Sequence, residues 1–359
     1  MKRIVLMMAM VGVALTAPAQ DNDSKQSEYI SVFQYWKEHN ILQHLDLSVT
    51  AGTTGIGLEV SSPVTDWAQV RLGYDFMPRF TKKLKFNVLL NGESAAGSEQ
   101  FEHRSQAMES ISGFKIEDHV DMIGKPTMNH AKLLVDVFPF KNNRHWHFTA
   151  GFYWGSSTVA VADNSTEAMT SLISVGMYNK MYERAELGLP LVDFYGILTG
   201  VMGMDPDEAD EYIARNHLNV IPTDFYEILV SGGRMSFDLG YFKHDMVDDN
   251  GIEHKAGERY NFEPGSDAMV HVKAKVNRFK PYLGFGYGGR LVKGRDDWQI
   301  SFDAGALFWG GAPALYTHDG VDLVRDVRDI GGQVGDYIKV AKAFKVYPVL
   351  NLKITKRIF

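Results

Sequence analysis

The 359-residue sequence contains no cysteine. Disulfides and thiolate metal sites are therefore excluded, as is a lipid anchor carried on cysteine. Beyond the N-terminus, no stretch reaches the roughly 18 consecutive apolar residues of a membrane helix. Basic residues are not in excess. The 37 Lys and Arg stand against 44 Asp and Glu, a formal net charge of −7, which argues against a dedicated nucleic-acid binder. What is present is a chain 45% hydrophobic and 23% charged, able to bury a core. Its 12% aromatics and 34 glycines suit tightly packed β-structure.

Residues 1–19 have the form of a secretory signal peptide. Lys2 and Arg3 precede an apolar run from Ile4 to Leu15, and Ala17-Pro18-Ala19 supplies small residues for cleavage. An exported chain without disulfides fits a bacterial envelope protein. Residues 20–43 form a polar N-terminal segment followed by a short amphipathic helix, and 44–359 form the main body.

Period-2 alternation then recurs along the chain, as half-buried or lipid-facing strands require. It covers 45–61, 68–76, 133–137, 148–154, 270–276, 283–287, 298–308 and 349–355. Across Thr53-Thr54-Gly55 the apolar set changes from odd to even numbers, so a bulge or a tight turn sits there. "RMSFDLGYF" (234–242) and "LKFNVLL" (84–90) are further strand candidates. The section "NGESAAGSEQFEHRSQ" within 79–129 reads as loop. A long insertion at about 160–267 contains two helical stretches, with Thr166 and Asp205-Pro206 as caps. "DGVDLVRDVRD" (319–329) reads as a solvated helix.

Each strand has one face without charge and one carrying charge or glycine. Collected, the polar faces hold Glu59, Arg71, Asp75, Lys132, Asp136, Lys273, Lys275, Asp303 and Lys353. In a soluble β-sandwich or soluble barrel the apolar faces make the core and these residues meet water. In a membrane barrel the apolar faces meet lipid and the ions pair in a crowded lumen. Trp67, Trp146, Trp154, Trp298, Trp309 and Tyr347 lie near strand ends, where an aromatic girdle belongs. Small, glycine-lined inner faces suit a barrel of eight strands. The expected fold is all-β: a closed antiparallel transmembrane β-barrel of eight to ten strands with a partly helical insertion. Counting 45–61 as one strand puts the long segments 79–129 and 160–267 on the periplasmic side, against the usual arrangement. A true turn at 53–55 would reverse that.

The stretches "GTTGIGLEV" (52–60), "VRLGYDFMPRF" (70–80), "LLVDVFPF" (133–140), "PYLGFGYG" (281–288), "SFDAGALFWGGAP" (301–313) and "YPVLNLKITKRIF" (347–359) together resemble a family of Gram-negative, Bacteroidetes-like outer-membrane β-barrel proteins. These are broadly similar to the small OmpA-type barrels. The resemblance covers the strands and not 160–267. It implies an outer-membrane location, outer-membrane lipid as surroundings, and recognition of the last strand, ending at Phe359, by the barrel-assembly machinery. No attached peptidoglycan-binding domain is evident.

Candidate chemistry is thin. "GFGYGG" (284–289) lacks the helix a dinucleotide loop needs, so its glycines belong inside a narrow barrel. His145 and His147 flank Trp146 without a third ligand. "DPDEADE" (205–211) reads as an acidic helix start rather than a calcium loop. No nucleophile elbow is present. The sequence thus gives no catalytic residue, cofactor or metal. A non-enzymatic envelope barrel with a structural or partner-recognition role is the expectation, its extracellular or periplasmic ligand unidentified. A narrow pore for small or hydrophobic solutes and an exported soluble ligand-binding barrel are the alternatives.

Overall fold

The computed structural model describes residues 44–90, 93–140, 143–218 and 223–358. The signal peptide, the segment 20–43 and Phe359 lie outside the described residues. The described residues form nineteen strands. Eight of them close an antiparallel barrel: β1 (Asp46–Gly52), β2 (Gly55–Thr65), β3 (Ala68–Phe76), β7 (Asn129–Val137), β8 (Trp146–Gly155), β15 (Phe279–Val292), β16 (Arg295–Leu307) and β19 (Tyr347–Arg357). Their order around the barrel is β1-β19-β16-β15-β8-β7-β3-β2.

A second, open sheet has the order β13 (Arg259–Phe262), β10 (Met235–Phe242), β4 (Lys82–Leu90), β6 (His119–Pro126), β9 (Thr158–Asn164), β14 (His271–Lys275), β17 (Ala314–Thr317). Strand β5 (Glu93–Ser94) pairs with β4, and β18 (Val327–Arg328) with β10. A small hairpin joins β11 (Met246–Val247) and β12 (Glu253–His254).

The two sheets are continuous in a specific sense. Barrel neighbours β3-β7-β8-β15-β16 reappear in the open sheet as β4-β6-β9-β14-β17, each the direct extension of one barrel strand. Five barrel strands therefore rise past the rim as a wall, while the β1–β2 turn and the start of β19 stop at it.

Polarity inverts where the wall leaves the barrel. Along β6 and β7 the even positions face inward: Val120, Met122 and Met128, then His130, Lys132, Leu134 and Asp136, are buried, with Gly124 and Pro126 half-buried between them. The inward face is apolar in the wall and largely polar in the barrel. Odd positions do the reverse, from Asp121 and Lys125 to Leu133 and Val135. On β14 and β15 the outer face runs from Lys273 and Lys275 to exposed Phe279, Leu283 and Phe285. One bulge resets the phase between β8 and β9. Ala274 pairs with Ala160 and Lys275 with Thr158, so Val159 has no partner on β14.

This inversion corrects the strand count made from sequence. Residues 270–276 belong to the wall, not to the barrel. At 53–54 there is a true turn, with Gly52 opposite Gly55 and Gly55 at φ 102°. One strand splits and another drops out, so eight remain. The turns between β2 and β3, β7 and β8, and β15 and β16 now share one end with the start of β1 and the end of β19. The three long connections share the other end with the β1–β2 turn, which removes the conflict over sidedness.

Over the inner face of the wall lie two helices, Glu99–Ser112 and Met169–Glu186. Phe86, Val88, Met122, Phe237, Phe262, Phe101, Met108, Leu172 and Val175 share one apolar core. The first helix lies where a loop is expected. Ser98 caps it, its hydroxyl accepting the Phe101 N–H at 3.3 Å, and Glu99 and Glu102 favour its first turn. Asp205 caps the helix Pro206–Arg215 as expected, whereas the preceding long helix starts after Ala168 rather than at Thr166. Residues 319–329 are not helical. Gly320 and Asp329 take positive φ, and the Asp322 carboxylate accepts the N–H groups of Leu315 and Val324, fixing turns that bury Val321, Leu323 and Val327.

Candidate functional site

The barrel is inside out relative to a soluble protein. Leu58 is 59% exposed, Leu72 56% and Phe148 60%, while Arg71 and Lys132 are 1% exposed and Asp136 is fully buried. The apolar outer band needs a partner of its own kind, because contiguous patches of this extent are rare on soluble monomers. Trp67 and Trp146 flank the turn end and Trp154 the opposite rim, all exposed. Trp309 is a correction: it is buried, and its indole N–H donates to Phe344 O at 2.9 Å.

Inside, Arg71 on β3 is the hub. Its Nη1 meets Asp303 Oδ2 at 2.7 Å and Glu59 Oε2 at 3.3 Å, and its Nη2 meets Asp136 Oδ1 at 2.8 Å. Lys132 Nζ bridges Glu59 at 2.5 Å and Asp75 at 2.6 Å. Lys353 Nζ stands 3.8 Å from Asp303. Neighbouring side chains complete the network. Thr149 Oγ1 and Gln69 Nε2 donate to Asp136 at 2.7 and 2.8 Å. His147 Nε2 lies 3.0 Å from Asp303 Oδ1 and carries the shared proton, since a carboxylate only accepts.

Glycine makes room for these groups. A Cβ on Gly73 would lie 2.8 Å from both Glu59 Cγ and Lys132 Cε, and one on Gly286 would collide with His147 and Asp303. Within the glycine run at 284–289, Gly286 thus vacates volume for the ion network.

Above the ions, Leu134, Tyr153, Tyr282, Leu307 and Val349 form an apolar layer, and at the rim Met128, Val159 and Trp309 form another. At the turn end a cavity of about 230 Å³ opens among Asp46, Gln69, His147 and Lys353. A solute entering there meets first the ions and then the apolar layers.

Seven of the nine sequence-derived lumen residues lie in this network: Glu59, Arg71, Asp75, Lys132, Asp136, Asp303 and Lys353. Lys273 and Lys275 do not. They sit on β14, exposed on the outer face of the wall, with Lys275 Nζ 4.9 Å from the Tyr316 ring. Their strand alternates in the opposite phase from the barrel below, so the polar side there is the outside. Sequence reasoning missed His147, Thr149, Tyr153, Tyr282 and Lys280. The signal was present: Lys280 shares the even phase of Tyr282 and Gly284, although "NRFKP" looks like a turn.

A second polar cluster lies on the wall, which with the helices and loops packed on it forms a cap over the barrel. His271 bridges Asp163 (2.9 Å) and Asp267 (3.2 Å), beside His318. Burial alone would lower the His271 pKa, but the two carboxylate hydrogen bonds outweigh it and raise it above the usual histidine value. Tyr260 donates to Asp319 at 2.6 Å, and burial followed by that carboxylate pushes its phenol well up. Among the described residues no group of three or more His, Asp or Glu is arranged to hold a metal ion. His145, the other half of the suggested pair, is bound to Gly288 O at 2.6 Å.

No protein-family model matches the chain, and no curated protein matches it. Among solved structures it is similar to two crystal structures from Acinetobacter baumannii, of CarO2 and CarO. Each is 13% identical over 88% of this chain, covering 99% and 98% of the respective neighbour, with TM-scores of 0.33 and 0.34. Likeness at that level transfers no role to this chain.

Proposed function

We propose that the protein is a non-enzymatic outer-membrane β-barrel with a sealed lumen, whose cap serves a structural or partner-recognition role at the bacterial surface. One observation carries this. The barrel exposes a continuous aliphatic and aromatic outer face while enclosing four carboxylates and three cations, Glu59, Asp75, Asp136 and Asp303 with Arg71, Lys132 and Lys353. Such an arrangement is stable only where lipid covers the outside. A soluble ligand-binding barrel would have the opposite lining. The eight strands and filled interior are the basis for the likeness to OmpA-type barrels.

In this orientation the short turns and both described chain ends face the periplasm, and the cap faces outward. Val201 and Met202 are 81% and 70% exposed there, next to the acidic helix Pro206–Arg215. An apolar tip bordered by carboxylates suits a partner with an apolar recess and a basic rim. Membrane fractionation with heat-modifiable gel migration is the direct test. The folded protein is expected in the outer-membrane fraction and migrates differently before and after boiling. Recovery as a detergent-free soluble monomer would refute the proposal. Planar-bilayer recording separates it from a narrow pore, since ohmic steps would require a continuous path through the lumen.

A further inference from the structure

Between the inner face of the wall and the helix Gly332–Ala343 lies a cavity of about 260 Å³. Gly124, Ala160, Ala162 and Ala274 line it from the wall, and Ala341 from the helix. Leucine-sized side chains at these positions would close it, so small residues on three strands and the helix keep it open. Two lining residues carry polar side chains, Lys85 and Tyr337. Lys85 Nζ meets His119 on the outer face of the wall at 3.3 Å. Tyr337 lies at the helix edge, with Lys82 Nζ 5.4 Å from its ring. A buried water needs two to four polar partners, and this lining does not offer them. The volume exceeds the roughly 150 Å³ of a dry cavity that takes one benzene, and it approaches the lower end of ordinary ligand pockets, about 300 Å³.

We infer that this cavity is a binding site for uncharged hydrocarbon, either an acyl chain of a membrane lipid or a free apolar molecule of one or two rings. The inference does not depend on whether the lumen conducts. It places a ligand above the sealed barrel, held between a fixed wall and a helix that runs directly into β19.

Photo-crosslinking of the full chain in lipid nanodiscs tests it. One arm uses a phospholipid with a diazirine on its acyl chain; the other uses a free diazirine-bearing alkylbenzene in plain lipid. Label is expected on 156–164, 271–276 or 332–343 in at least one arm, and the productive arm identifies the source. In Ala162→Leu that label falls at least about fivefold, because the added atoms take the space. Label on lipid-facing 283–287 stays constant and reports intact insertion. Gly124→Ala is the milder filler, its Cβ meeting Lys82 O at 3.5 Å and Leu84 Cδ1 at 3.6 Å, ordinary contact distances. It is the deciding variant if Ala162→Leu loses heat-modifiable migration. Absence of cap label in both arms, or equal cap label in the filled variants, overturns the inference.

Discussion

Removal of the Arg71 guanidinium would leave Glu59, Asp136 and Asp303 facing one another with Lys132 and Lys353 as the remaining cations in their network. Breaking a buried ion cluster by deleting one partner costs about 3–5 kcal/mol. Arg71→Met is expected to lose that much in equilibrium urea unfolding from lipid vesicles. Arg71→Lys is expected to recover only part of it, because one ammonium cannot span three carboxylates as a planar fork does. On the cap, His271 offers a pH test. Its raised pKa means the bridge to Asp163 and Asp267 stabilises below the unfolded histidine value and is lost as pH rises through the folded one. Asp267 is held down chiefly by the His271 hydrogen bond, so its share is present above the unfolded value and is lost as pH falls through the lowered one. Protection of the Val270–Val272 amides from hydrogen exchange, taken relative to their intrinsic rates at each pH, is expected to be greatest between those limits, and His271→Phe should flatten the profile. The lumen residues were legible because each lies on the polar side of a period-2 strand and opposes an uncharged face. Lys273 and Lys275 obey the same local rule on a strand where it means the opposite.

At the level of strands, the boundary between band and wall predicts opposite tolerances. Leu72 sits at the centre of β3, exposed on the outer face. Leu72→Arg is expected to cost about 2–4 kcal/mol in the same unfolding assay, the penalty of a charge at mid-bilayer depth. Lys273→Ala, on the outer face beyond the rim, should change stability by less than about 0.5 kcal/mol. Equal effects at the two sites would contradict the assigned boundary. Period 2 revealed the barrel strands, since outer and inner faces differ so sharply in polarity. The same period misplaced 270–276, because alternation alone does not state which side faces in. The helix Glu99–Ser112 escaped notice for another reason: its apolar stripe is weak, and Ser98 with Glu99 and Glu102 was the available mark of its start. For 319–329, helical charge spacing was misleading, and Gly320 was the contrary signal.

Taken whole, the molecule is an eight-stranded barrel carrying an asymmetric cap, and the lack of native cysteine makes its orientation easy to measure. Single cysteines at Met202 and Lys293 mark the two ends. A membrane-impermeant maleimide on intact cells is expected to label Met202→Cys at once, and Lys293→Cys only after the outer membrane is opened. The reverse pattern would invert the assignment.

The exchange of polarity at the rim also fixes how deep the protein can sit. Pushing it into the bilayer by one two-residue step, about 6–7 Å along a strand, would bring Lys275, Asn129 and their neighbours into hydrocarbon. Raising it by the same step would lift Phe279 and Ala131 into water. Strands β6–β7 and β14–β15 both carry this mark, so vertical drift is opposed on each, and the protein floats at a draught written into its own sequence.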